Sequence, residues 1–189
     1  MPFTRRVALA VGTSALLVAT MAGSALAANT VTQAITGSGL TASVADLAMT
    51  SVVYQNAAHD VTGTMVLTVD DSTGSGAGWN VTIQSSAFVW VGTANGGINI
   101  PASAFALTTA APPTLIAGQA IGAALSTGPQ VPPTSPLGSL DTPRKTLVAT
   151  AAYGAGTYAQ SLGVTLSIPA QSRVGVYTGT LTTTITSAP

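Results

Sequence analysis

The chain has 189 residues, 5% of them charged, against about a quarter in ordinary soluble domains. It contains no cysteine, no glutamate and a single histidine, which excludes a disulfide framework and leaves almost nothing from which to build a zinc site, a thiol nucleophile or a paired-carboxylate site. Two of its five basic residues, Arg5 and Arg6, fall in the first few positions, so the remainder sets Arg144, Lys145 and Arg173 against five aspartates and offers no basic surface for nucleic acid.

The N-terminus reads as an export signal. Arg5-Arg6 precede an apolar run from Val7 to Met21, and Ala25-Leu26-Ala27 supplies small residues for cleavage before Ala28. The expected organisation is a signal peptide over 1–27 and a single domain over 28–189. No later run reaches the roughly 18 apolar residues of a membrane span, so the mature chain is expected to be secreted, with no membrane span.

From Ala28 the sequence is a succession of short strand-like runs broken by Gly, Pro, Asn, Asp and Ser. Thr30 to Thr36, Leu40 to Val44 and Leu47 to Gln55 come first, followed by a turn at Asn56 to Asp60. The stretch Val66 to Ile83 then reads as strand, glycine-rich turn, strand. Val61, Met65, Leu67 and Val69 alternate with polar residues on one side, and Trp79, Val81 and Ile83 do so on the other. Ala87 to Val91, carrying Trp90, is closed by the turn signal Asn95-Gly96-Gly97, and Ala104 to Thr108 follows.

Residues 110–143 hold most of the prolines, among Gly, Ser, Thr and Ala, without alternation. Proline is largely barred from central strands, so this stretch is expected to be a surface excursion of one domain. The β pattern returns at Leu162, Val164, Leu166 and Ile168. A last run, Val174 to Thr186, puts Tyr177, Leu181 and Ile185 on one face and Thr178, Thr180, Thr182 and Thr184 on the other. Many short alternating strands with no helical period predict an all-β sandwich of two antiparallel sheets.

Two separated blocks carry a family resemblance. Gly76-Ala77-Gly78-Trp79-Asn80-Val81, after Val69-Asp70-Asp71, resembles the first signature of WxL-domain proteins. Leu166 to Pro169 followed by Gly175 to Pro189 resembles the C-terminal signature. The resemblance covers nearly all of the mature chain. It implies an immunoglobulin-like sandwich held non-covalently at the bacterial cell wall through peptidoglycan. The family's tryptophan-x-leucine element reads Trp79-Asn80-Val81 in the first copy and Thr183-Thr184-Ile185 in the second, so the chain resembles a divergent member that lacks the second tryptophan.

Trp79 and Trp90 are the candidate binding residues, since an exposed indole stacks on a sugar ring while its N–H donates. The competing reading of Trp79 is a core side chain beside Val81 and Ile83. Asp70 and Asp71 fall short of a full calcium loop and suit a turn in which a carboxylate accepts backbone N–H bonds. His59 stands alone beside Asp60, Arg144-Lys145 is the one basic pair, and the sequon Asn80-Val81-Thr82 lies inside a strand. No catalytic residue, metal ligand or cofactor is expected. The function expected is a non-catalytic binding or structural module of the cell surface, whose partner is peptidoglycan or another surface protein. Two other readings remain open: a self-associating subunit of a surface layer or fibre, and a secreted carbohydrate-active protein.

Overall fold

The computed structural model describes residues 32–134 and 136–187. The segment 1–27 read as a signal peptide lies outside them, as do Ala188 and Pro189 at the end of the C-terminal signature. Residues 35–189 form one compact unit.

Among the described residues eleven strands follow in chain order. They begin β1 (Leu40–Val44), β2 (His59–Asp71), β3 (Trp79–Ser85), β4 (Val89–Val91), β5 (Phe105–Ala110) and β6 (Thr114–Gly118). They continue β7 (Gly138–Ser139), β8 (Arg144–Ala149), β9 (Gly156–Ile168), β10 (Val176–Thr178) and β11 (Leu181–Ser187). Helical structure among the described residues is limited to 3-10 turns at Ala102–Ala104 and Leu125–Thr127. The fold is all-β, and the strands pair antiparallel. One sheet runs β1-β2-β9-β5-β7, with β6 also on β9; a second runs β11-β3-β8; β10 and β4 form a two-stranded ribbon.

The alternation read from the sequence is the alternation of burial. On β2, Val61, Met65, Leu67 and Val69 are buried; on β9, Tyr158, Leu162, Val164 and Leu166; on β3, Trp79, Val81 and Ile83. These faces share one apolar cluster with Ile100, Phe105, Leu107, Leu140 and Leu147. Each fully buried aliphatic side chain contributes about 1.5–3 kcal/mol relative to exposure. The threonine face of the last run is exposed at Thr178, Thr180, Thr182 and Thr184.

Five expectations change. The stretch from Val66 to Ile83 is not a hairpin: β2 pairs with β1 and β9, whereas β3 pairs with β11 and β8. Residues 72–78 therefore carry the chain from one sheet to the other, because both strands bury an apolar face that must meet across the core. The segment 47–55 forms no strand; Leu47 packs instead on Gly63, where a Cβ would lie 3.3 Å from its methyl group. Residues 32–36 form none either.

The run from Val174 to Thr186 splits at Gly179-Thr180. β10 pairs with β4, while β11 pairs with β3. Gly179 admits the Phe88 ring, which a Cβ would meet at 3.1 Å. The proline-rich stretch, finally, is not pattern-free. β6 extends the ladder on β9 (Leu115 opposite Tyr158), while β5 occupies the part beyond (Leu107 opposite Val164). Pro112 and Pro113 stand between the two strands, where no ladder donor is needed. Across this gap the N–H of Ala111 donates to the Ser161 carbonyl at 2.9 Å.

Candidate binding groove

The glycine-rich crossover is built around its aspartates and Trp79. One Asp71 oxygen accepts from the Thr73 N–H at 3.1 Å and the Thr73 hydroxyl at 2.6 Å, the turn geometry read for this pair. Asp70 accepts from Thr157 (2.6 Å) and Ser72 (2.7 Å); these bonds, Thr157 first, hold its pKa below the ordinary carboxylate value. Gly78, at φ +75°, then turns the chain into β3, and a Cβ there would lie 2.6 Å from the Ala149 carbonyl oxygen. Only glycine combines that φ with so close an approach.

Trp79 follows at once and is fully buried. Its indole lies tilted against Tyr158 of the other sheet, ring centroids 6.2 Å apart, and its N–H donates to the Gly154 carbonyl at 3.0 Å. Of the two readings of Trp79, burial supports the core one: with its ring enclosed and its donor used, it presents nothing to a ligand.

Trp90 is half-buried. It stands opposite Tyr177 in the ribbon, and its backbone N–H donates to Asn99 Oδ1 at 2.9 Å. Gly97 and Gly175 press on the indole so closely that a Cβ at either would collide with it. The indole nitrogen is buried and has no hydrogen-bond partner. Trp90 is thus a wedge under the ribbon with an unused donor, and it does not meet Trp79 in one site.

Beside the ribbon the sheet opens into a groove of about 530 Å³. Its floor continues the inward face of β2 and β9 through His59, Val61, Leu166 and Ile168. One wall is the extended segment 49–55, and the other is Val174 to Tyr177. His59 opens β2 opposite Ile168, and both its ring nitrogens are buried without a partner. Tyr54 donates to Asn56 Oδ1 at 3.1 Å, and Tyr177 to the Arg173 carbonyl at 2.9 Å. The groove therefore offers apolar walls and two tyrosines, with the imidazole nitrogens of His59 buried beneath its floor, and no Asp, Lys or Arg lines it. A second groove of about 490 Å³ adjoins it at Met49 and runs past Leu47, Phe88 and Leu181.

The other candidates have local roles. Arg144 Nε donates to the Ser139 carbonyl at 2.8 Å, Lys145 is exposed, and Asn80 of the sequon donates to Thr186 Oγ1 at 2.8 Å across the β3–β11 pair. Among the described residues no three His or Asp side chains gather as a metal site, and no helix is long and apolar enough to cross a membrane. The imidazole groove escapes sequence reading because its walls come from segments more than 100 residues apart, and no periodicity marks Leu47 to Gln55 as a wall.

Comparison with known proteins gives no match to a family model, to a curated protein or to a solved structure.

Proposed function

We propose that the chain is an exported, non-catalytic cell-surface module of WxL type, built on an immunoglobulin-like two-sheet sandwich and held non-covalently at the bacterial cell wall through peptidoglycan. The observation that carries this reading is the pairing of the two signature blocks. About a hundred residues apart in sequence, they lie side by side as β3 and β11, with Val81 opposite Ile185 and Ile83 opposite Thr183. A family marked at those two places needs them joined, and here they frame Trp79. The leader over 1–27 supports export. The groove, bordered by Tyr54 and Tyr177 and free of Asp, Lys and Arg, suits a neutral, hydroxyl-rich polymer, because aromatic faces stack on sugar rings.

Sedimentation with purified sacculi tests the reading. The protein should pellet with sacculi and stay in solution without them, and Tyr54→Ala should reduce the pelleted fraction severalfold while leaving the fold intact. Protein that remains in the supernatant with sacculi present would end the wall-binding reading.

A further inference from the structure

The outer face of the β4–β10 ribbon is apolar and uncovered. Val91 stands opposite Val176 and Trp90 opposite Tyr177. Alternation turns Trp90 and Tyr177 toward the body and leaves Val89, Val91 and Val176 outside. Val174 precedes the ribbon, and Val53 shares the groove with Val174 and Val176. These five side chains are between 51% and 83% exposed.

Together they present on the order of 500 Å², at the upper end of the largest apolar patch of a typical monomer, about 300–600 Å². So large an uncharged surface is costly to leave in water, the more so on a chain with only 5% charged residues to keep it dispersed.

Two features identify what covers it. Among the described residues, β10 has no strand on its outer edge, so backbone donors and acceptors lie within the apolar patch. Hydrocarbon cannot satisfy those groups, whereas an added strand can. The patch also carries no charge that would select a partner of different composition. Antiparallel strands related by a two-fold axis bring the same residues of two copies together, and an uncharged valine face is complementary to itself. We propose that this face joins the chain to a second copy of itself, β10 edge against β10 edge with the ribbon valines packed between. Val53, Val174 and Val176 also border the groove of the wall-binding reading, whereas Val89 and Val91 do not, so Val91→Glu is the variant that tells the two surfaces apart.

Sedimentation velocity of the purified protein over a hundredfold concentration range tests it. The wild type should pass from monomer to dimer, and Val91→Glu and Val53→Glu should each weaken dimerisation by at least about tenfold with unchanged circular dichroism. Val53 lies in a segment with no strand pairing, so its variant decides the matter if Val91→Glu fails to fold. A wild type that stays monomeric overturns the proposal, as does a dimer unaffected by these charges in folded protein. A monomer that floats with phosphatidylcholine vesicles also overturns it and assigns the patch to lipid. A monomeric Val91→Glu that still sediments with sacculi separates this interface from wall binding.

Discussion

Tyr158 ties burial to ionisation at a single side chain. Its ring is enclosed beside Trp79, and its hydroxyl donates to the carbonyls of Gln119 (2.8 Å) and Ala155 (3.2 Å). Burial, and after it the charge of Asp71, raises its pKa above the ordinary value of 10.0. In the unfolded chain the phenol ionises near pH 10, so above that pH the unfolded state loses a proton that the folded state retains. Stability from this group is therefore complete below about pH 10 and is lost as pH rises through the higher folded pKa. The urea midpoint should be level up to about pH 9.5 and then fall, and Tyr158→Phe should fall less steeply. Equal alkaline slopes in the two proteins would remove Tyr158 as the cause. The burial of Trp79 is a residue-scale outcome that sequence left between two readings, since alternation says that a side chain faces inward but not how completely it is covered.

Elements here are defined as much by what they join as by their own patterns. The crossover 72–78 ends on Gly78, whose positive φ and contact with the β8 end fix where β3 enters its sheet. Gly78→Ala should destabilise by more than about 1 kcal/mol, since a Cβ at φ +75° adds backbone strain to a collision with Ala149. Gly74→Ala, at φ +67° with open space around it, should cost less because it adds strain without the collision. Chemical denaturation of both variants checks the order, and equal losses would show that φ alone matters. Gln160 performs a related task on β9. It is buried, and its amide donates at 3.0 Å both to Ala111, beside the proline gap, and to Thr146 of the opposite sheet. Strand existence was legible in composition and period for β1, β2, β3, β5 and β9. β6 was hidden because its neighbours are prolines, and the split of β10 from β11 was hidden because Val174 to Thr186 keeps a single alternation across Gly179.

At the scale of the whole molecule, the sheets share their core. Trp79 on β3 packs on Tyr158 of β9, the Phe88 and Phe105 rings meet edge to face at 5.3 Å, and Leu140 accepts from Ser85 and donates to Phe105, 2.8 Å in each case. Neither sheet can lose its inward face without exposing the other, so unfolding should be one transition. In a Trp90→Phe background, Trp79 fluorescence and far-ultraviolet circular dichroism should give coincident urea curves. An earlier fluorescence change would mean that the β11-β3-β8 sheet detaches first. With no cysteine and only 5% charged residues to draw on, this shared apolar core carries the stability.

Sequence by itself determined the strand class, the inward residues and the poverty of chemical groups, because side-chain period and composition are local properties. The tertiary structure alone decided that β2 and β3 belong to different sheets. It likewise decided that β3 and β11 are neighbours and that His59, Tyr54 and Tyr177 border one groove. Each of these depends on which strand edges pair, and edge pairing is settled by backbone hydrogen bonds and core closure between segments as many as 109 residues apart, as Ile168 is from His59. Backbone donors and acceptors are the same in every residue but proline, so a single sequence carries no local mark of the partner they will find.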